Sequence, residues 1–254
     1  MIKISVVIPC IFKHINSIKK ALESLNNNTI KPYEVIIYMN QADQVKGHIK
    51  EIEKTYKNLL NLTIIKNKGK DYTGPSKQKG SEKATGDIIA YFDADDIAHP
   101  QLIEIISYIF TKYDIMHCNY LFIPFDRKFK NYELDKIKIT NSEIINKFVD
   151  DAFIHNKFNG KEIPPRKWSW GVPKIWYGSK FIGKPVTNGL SAIRKEVLDK
   201  VSWTNKKGGQ DLVFCWSVAK EFKKSIIIHA ALLKYSGTPS CLYDWYEKYW
   251  DEFK

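Results

Sequence analysis

The first ninety residues alternate between short apolar runs and segments in which apolar residues recur at helical intervals. The apolar runs, each of strand length, occupy residues 4–8, 35–39, 62–65 and 87–92. Between them, 15–25 and 49–60 have the spacing of amphipathic helices, and Pro75 and Gly86 fit the start and end of a third helix. This order predicts an α/β fold in which a mostly parallel central sheet carries helices on both faces.

The second half of the chain is less regular but continues the same pattern. We predict strands at 114–123, 188–193 and 225–233, and helices at 141–153, 194–200 and 210–222. Residues 157–185 are rich in Lys, Gly, Pro and Trp and predict an irregular excursion. Because the sequence has no repeat and no linker-like stretch, we expect residues 1–254 to form a single domain.

Three carboxylates follow the fourth apolar run, in the sequence Asp93-Ala94-Asp95-Asp96. Carboxylates crowded at the end of a buried strand repel one another and lose solvation, so a divalent cation is the usual compensation. Oxygen ligands favour Mg²⁺ or Mn²⁺ over zinc, and the carboxyl ends of parallel strands are where open α/β sheets bind ligands. The alternative is a capped turn that opens the helix expected after His99-Pro100.

Composition limits the partners and the compartment. The net charge of +12 favours an anionic partner without identifying it, and no apolar run reaches the length of a membrane span, so we expect no stable membrane insertion. The amino terminus is too short and too strand-like for a signal peptide. The four cysteines are far apart and lie in apolar surroundings, which predicts reduced thiols in a cytoplasmic protein.

Residues 66–83 combine six lysines with three glycines between two predicted strands. Lysines beside a metal-binding edge would neutralise a diphosphate, and Lys77 is the best single candidate. The segment lacks the pattern of a P-loop, and a solvated lysine-rich helix face explains it equally well.

Four motifs together resemble GT-A fold glycosyltransferases of the family 2 type. They are Ser5-Val6-Val7-Ile8-Pro9-Cys10, Ser76-Lys77-Gln78-Lys79-Gly80 with Ala84-Thr85-Gly86-Asp87, Asp93-Ala94-Asp95-Asp96, and Gly189-Leu190-Ser191-Ala192-Ile193-Arg194 with Gly209-Gln210-Asp211-Leu212. Each motif is weak alone, but they occur in the family's order and at plausible spacing. The resemblance divides the chain into a nucleotide-sugar-binding half (1–110), an acceptor-side half (111–235) and a C-terminal aromatic helix (236–254).

The resemblance implies a metal-dependent, inverting transfer of a sugar from a nucleoside-diphosphate sugar, with UDP as the default nucleotide, to a hydroxyl of a glycan or another acceptor. Asp93 and Asp95 would bind Mn²⁺ or Mg²⁺, and Asp211 would be the general base. The donor-binding residues it implies are Pro9, Cys10, Asn40, Lys77, Asp93 and Ala94. On the acceptor side it implies Gly189, Ser191 and Gln210, to which we add Trp168 and Trp170 because aromatic faces stack on sugar rings.

The chain departs from the family pattern at several of these positions. Asn40 stands in a turn that is usually acidic, Lys77 replaces an arginine, and Gln210 replaces the acidic residue before the base. The family's late metal-binding histidine has no clear match, because His229 lies within an apolar strand where a core histidine is expected.

Aromatic residues between 242 and 253 lie on one predicted helical face, opposite a mostly acidic face. An acidic face suits anionic lipid poorly, so we expect this helix to pack on the protein body or on a second subunit of a homodimer.

Two other function classes fit part of the sequence. A nucleotidyltransferase also holds Mg²⁺ at a sheet edge, but it usually opens with a glycine-rich loop that is missing after the first strand. A nucleic-acid-binding module explains the positive charge but not the four motifs in order. We therefore expect no nucleic acid partner.

Overall fold

The computed structural model describes residues 2–123, 149–150, 157–158, 161–162, 190–206, 210–222 and 224–234. The strands are β1 (Ile4–Ile11), β2 (Glu34–Asn40), β3 (Leu62–Lys66), β4 (Ile88–Tyr91), β5 (Ile97–Ala98), β6 (His117–Ile123), β7 (Val149–Asp150), β8 (Lys157–Phe158), β9 (Lys161–Glu162), β10 (Ser191–Arg194) and β11 (Ser225–Lys234). The α-helices are α1 (Ser17–Asn26), α2 (Lys46–Tyr56), α3 (Thr73–Ser81), α4 (Leu102–Lys112) and α5 (Gln210–Phe222). Short 3₁₀ turns occupy Phe12–His14, Ala42–Val45 and Lys195–Asp199.

Within these residues one nine-stranded sheet has the order β3-β2-β1-β4-β10-β6-β11-β5, with β7 paired to β11. Strands β1 to β4 run parallel to one another, and β6 is parallel to β11. Strand β10 enters antiparallel between β4 and β6, and so joins the two halves of the chain in one sheet. The predicted α/β fold with a mostly parallel sheet is confirmed.

Helices cover both faces of the sheet because successive strand residues point to opposite sides. One face buries Val6, Ile8, Ala90 and Phe92 in a core that α1, α2 and α4 complete. The other face carries Val7, Ile89 and Tyr91, which form a second core with residues of α5. Both cores therefore depend on strands that read as continuous apolar runs in the sequence.

Helix α3 lies close against the second face. A Cβ at Gly80 would lie 2.6 Å from Val7 Cγ1, so glycine at this position permits the close approach of α3 to β1. The approach places the side chains of α3 beside the carboxyl ends of β1 and β4, where the predicted acids lie.

The predicted strands and helices lie close to the observed ones except in two segments. Residues 157–185 were expected to be irregular, but β8 and β9 pair as antiparallel strands. Residues 141–153 were expected to be helical, but Val149–Asp150 is a strand that pairs antiparallel with β11, so the prediction is wrong there. A short apolar stretch is compatible with a helix or with a strand. Here the stretch pairs with the edge of β11 and is therefore a strand. In the part of the chain that the structure describes, no helix is long and apolar enough to cross a membrane.

Candidate active site

The carboxylates predicted to bind a metal lie in a tight turn at the carboxyl end of β4. The backbone N–H of Asp96 donates to the carbonyl of Asp93 at 3.2 Å, which closes the turn. A third of the Asp93 side chain is exposed, whereas Asp95 is 10% exposed and Asp96 is fully buried. Asp93 is therefore the carboxylate of this turn most open to a ligand.

Lys77 of α3 brings Asp93 together with Asp211, which lies 118 positions further along the chain. The Lys77 Nζ lies 3.2 Å from Oδ1 of Asp211 and 3.7 Å from Oδ1 of Asp93. Asp211 is in the first turn of α5, and 37% of its side chain is exposed. The predicted metal ligand and the predicted base thus converge on one ammonium group.

Two aromatic rings of the second core lie close to this ammonium group, and a third ring stacks on one of them. Trp203 stacks on Phe214 with ring centroids 4.0 Å apart, and Tyr91 meets Trp203 edge-on at 4.9 Å. The Lys77 Nζ lies 4.8 Å from the Trp203 ring centroid and 5.7 Å from that of Tyr91, within the range of cation–π attraction. The ammonium group thus contacts two carboxylates and lies within cation–π distance of two rings.

The charges of the site depend on one another. Burial alone would lower the pKa of Lys77, but the carboxylates of Asp211 and Asp93 outweigh it and raise that pKa. Burial, together with the negative charges of Asp211 and Asp95, raises the pKa of Asp93 even though Lys77 opposes the shift. A cation bound beside Asp93 would favour its ionised form.

The residues present suit a metal that shares its coordination with a substrate. In the described part of the chain, no three His, Cys, Asp or Glu side chains group closely enough to hold a metal ion alone. Mg²⁺ commonly takes only one or two carboxylates and completes its shell with phosphates and water, and Asp93 and Asp95 provide such a pair. The imidazole Nδ1 of His14 lies 3.7 Å from Asp95 Oδ2 and is a further group beside this pair.

Asn40, at the end of β2, belongs to a network of polar side chains. Its amide nitrogen donates to Ser76 Oγ at 2.9 Å, and its carbonyl accepts from Asn67 Nδ2 at 2.8 Å and from the Asp71 backbone N–H at 2.9 Å. Asp71 Oδ2 in turn accepts from Tyr38 and from Lys79. The Asn40 amide therefore holds the 67–71 loop against α3, and its predicted contact with the nucleotide stays a prediction.

The other residues predicted to bind the donor, Pro9, Cys10 and Ala94, differ in how far their side chains are buried. Pro9 is half-buried at the end of β1, on the α3 side of the sheet. The side chains of Cys10 and Ala94 are buried in the first core, so only their backbone could meet a donor. Burial, with a contribution from the Asp95 charge, raises the pKa of the Cys10 thiol to about 12.

The acceptor-side predictions meet the structure only in part. Ser191 is fully buried, next to Cys215, and does not present its hydroxyl to a ligand. The Gln210 amide accepts from the Gly74 backbone N–H and donates to the Lys206 carbonyl, so it too is engaged within the protein. Trp168, Trp170, Gly189 and the aromatic segment 236–254 lie outside the described residues.

The sequence of residues 5–163 matches the family described as glycosyl transferase family 2. The chain belongs to this family. The matched segment of this family 2 glycosyltransferase includes Asp93 and Asp95 but ends before Asp211. Membership favours the glycosyltransferase expectation over the nucleotidyltransferase and nucleic-acid-binding alternatives.

Curated relatives of this family 2 member resemble it over part of their length. An uncharacterized glycosyltransferase of Methanocaldococcus jannaschii is 34% identical over 89 residues, which are 34% of this chain and 30% of the relative. The amylovoran biosynthesis glycosyltransferase AmsE of Erwinia amylovora is 28% identical over 132 residues, or 50% of this chain and 47% of the relative. The matches therefore span less than half of either relative.

Solved structures of glycosyltransferases share the fold. S. aureus TarS 1–349 in complex with UDP-GlcNAc superposes with a TM-score of 0.62 at 13% identity, covering 94% of this chain and 59% of that one. The mannosyltransferase PcManGT of Pyrobaculum calidifontis, in complex with GDP-Man and Mn²⁺, has a TM-score of 0.60 at 14% identity and covers 96% and 59%. The GT-A fold predicted from the motifs is confirmed.

Sequence reasoning missed three residues of the site: His14, Tyr91 and Trp203. Tyr91 could have been found, because strand alternation places residues 91 and 93 on the same face. His14 and Trp203 carry no local signal. The turn after β1 places His14 at the site, and the segment that leads into α5 places Trp203 there.

Proposed function

We propose that this chain is a metal-dependent, inverting glycosyltransferase that transfers a sugar from a UDP-sugar to a hydroxyl group of a glycan. The observation that carries the proposal is the convergence of Asp93 and Asp211 on the Lys77 ammonium. It sets a carboxylate suited to a donor-bound cation beside a carboxylate suited to proton abstraction. Family membership and the GT-A fold support the same reaction class.

On the donor side, Asp93 and Asp95 would hold Mn²⁺ or Mg²⁺. When bound, the ion would neutralise the diphosphate leaving group. The complexes of the two structural neighbours with UDP-GlcNAc and with GDP-Man and Mn²⁺ support a nucleotide-sugar donor. Pro9 and the backbone of Cys10 lie at the end of β1 beside these carboxylates, where they would border the nucleotide.

On the acceptor side, Asp211 would accept the proton of the attacking hydroxyl. The hydroxyl oxygen forms a bond to the anomeric carbon while the bond from that carbon to the nucleoside diphosphate breaks, so the configuration inverts. The partial exposure of Asp211 allows an acceptor to reach it, and its carboxylate lies in the first turn of α5. A carboxylate in this setting suits general base catalysis.

The test compares Asp211→Asn with wild type, using UDP-GlcNAc, UDP-glucose and GDP-mannose as donors and water as the acceptor. We expect Asp211→Asn to bind nucleotide normally but to release nucleoside diphosphate about 10²- to 10⁴-fold more slowly. Asp199→Asn, an exposed aspartate in the 195–199 turn, is the matched control and should behave as wild type. Proton NMR of the released sugar should show the inverted anomer first. Full activity of Asp211→Asn, or retention of configuration, would refute the assignment.

A further inference from the structure

Lys77 is more deeply buried than a phosphate-binding lysine would be expected to be. Its side chain is fully buried, whereas Lys66 and Lys79 in the same lysine-rich segment expose about half of theirs. Its nearest carboxylate is Asp211 rather than an acid of the β4 turn. Two carboxylates of the protein already contact this ammonium group, and its side chain exposes almost no surface to a phosphate.

Helix α3 also contacts the segment that leads into α5 at two other points. The Gly74 backbone N–H donates to the Gln210 side chain, and Gln78 Oε1 accepts from the Trp203 backbone N–H at 3.1 Å. A Cβ at Gly74 would lie 2.4 Å from the Thr204 carbonyl oxygen, so glycine is needed for this close approach. Contacts at 74, 77 and 78 thus join one face of α3 to Trp203 and to the first turn of α5.

We propose that Lys77 is a positioning residue that orients the Asp211 carboxylate, and that it is not a ligand of the donor diphosphate. This inference rests on the proposed function, because it takes Asp211 to be the base. The Lys77 bond engages Oδ1 of Asp211, which assigns Oδ2 to the acceptor hydroxyl. A carboxylate fixed in this way needs little reorganisation when the acceptor binds.

The first experiment separates base positioning from phosphate binding. Lys77→Met removes the ammonium but keeps much of the buried stem, and the carboxylates it leaves behind are each about one third exposed, so the variant is expected to fold. We expect kcat for donor hydrolysis to fall about 10²-fold while the Kd for UDP, measured by calorimetry, changes by less than about threefold. Lys83→Met, an exposed lysine just after α3, is the control for charge loss and should match wild type.

A double-variant cycle then tests whether Lys77 acts through Asp211. If it does, Lys77→Met combined with Asp211→Asn should be no slower than Asp211→Asn alone, because the same function has already been removed. Additive losses would overturn the proposal. So would a loss of UDP affinity in Lys77→Met with kcat unchanged, which would identify a phosphate ligand.

Gly74→Ala provides a second route if Lys77→Met does not fold. The added methyl group would push the Thr204–Gln210 side of the contact away from α3 without changing any charge. We expect a lower kcat with UDP affinity retained, and an unchanged kcat would count against the proposal. If wild type hydrolyses none of the three donors, the proposed function itself fails, and the positioning role fails with it. Wild-type activity with normal kcat in Lys77→Met would remove the positioning role alone.

Discussion

Two helical glycines should respond in opposite ways to alanine. Gly80 of α3 is buried, and a Cβ there would lie 2.6 Å from Val7 Cγ1, whereas a Cβ at Gly47 of α2 would meet no atom within 4 Å. Alanine in a helix gains about 0.5–1 kcal/mol over glycine. At Gly80 the new methyl group would also crowd the stiff, β-branched side chain of Val7, and such overpacking costs about 1–3 kcal/mol.

We therefore expect Gly80→Ala to lower the free energy of unfolding by about 1 kcal/mol and Gly47→Ala to raise it by several tenths. Urea unfolding monitored by tryptophan fluorescence, with thermal unfolding as a second probe, measures both variants. In a chain of this length 1 kcal/mol corresponds to about 2–4 °C in Tm. Gly80→Ala should also slow donor hydrolysis, because α3 carries Lys77. A Gly80→Ala protein as stable as Gly47→Ala would refute the argument that glycine is required where α3 meets β1.

Three further predictions concern pH and metal. Burial would raise the pKa of Glu34, but hydrogen bonds from Ser5 and Thr85 outweigh burial and lower it. The ionised Glu34 therefore stabilises the fold above about pH 4.3, and this stabilisation is lost as the pH falls through the lowered pKa of the folded state. Glu34→Gln should reduce the dependence of the free energy of unfolding on pH in this range. Burial lowers the pKa of His117 to about 3, so below pH 6.5 the unfolded chain takes up a proton that the folded chain does not. The free energy of unfolding should therefore fall by up to about 1.4 kcal/mol per pH unit below pH 6.5. His117→Phe should reduce this slope, measured by urea unfolding at several pH values. Asp95→Ala should abolish the Mn²⁺ dependence of UDP binding in calorimetry, and unchanged metal-dependent binding would remove Asp95 from the predicted metal site.

Local sequence patterns were sufficient for most of the fold. Strands β1 to β4 are continuous apolar runs, and α1 and α2 have regular apolar faces, so periodicity locates them to within a few residues. The pattern is weaker at 149–150, where pairing with β11 determines the structure. Because β11 lies far from residues 149–150 in the sequence, the pattern of the residues around 149–150 does not reveal this pairing.

The site was predictable as a set of residue types but not as a geometry. Asp93 and Asp95 follow from their place at the end of a buried strand, and Asp211 from motifs in order. Whether Lys77 points to solvent or to Asp211 depends on Trp203 and on the approach of α3 to α5, which are long-range contacts. The same contacts bring Gln210 to Gly74, and its predicted contact with an acceptor stays a prediction.

Binding of nucleotide with and without metal tests the central claim most directly. The purified protein would be titrated with UDP, GDP and dTDP in the calorimeter, in the presence of Mn²⁺ and in the presence of a chelator. We expect UDP to bind in the presence of Mn²⁺, and this binding to weaken strongly when the metal is removed. Absence of binding by all three nucleotides under both conditions would contradict the assignment of a nucleotide-sugar site at the carboxyl ends of β1 and β4.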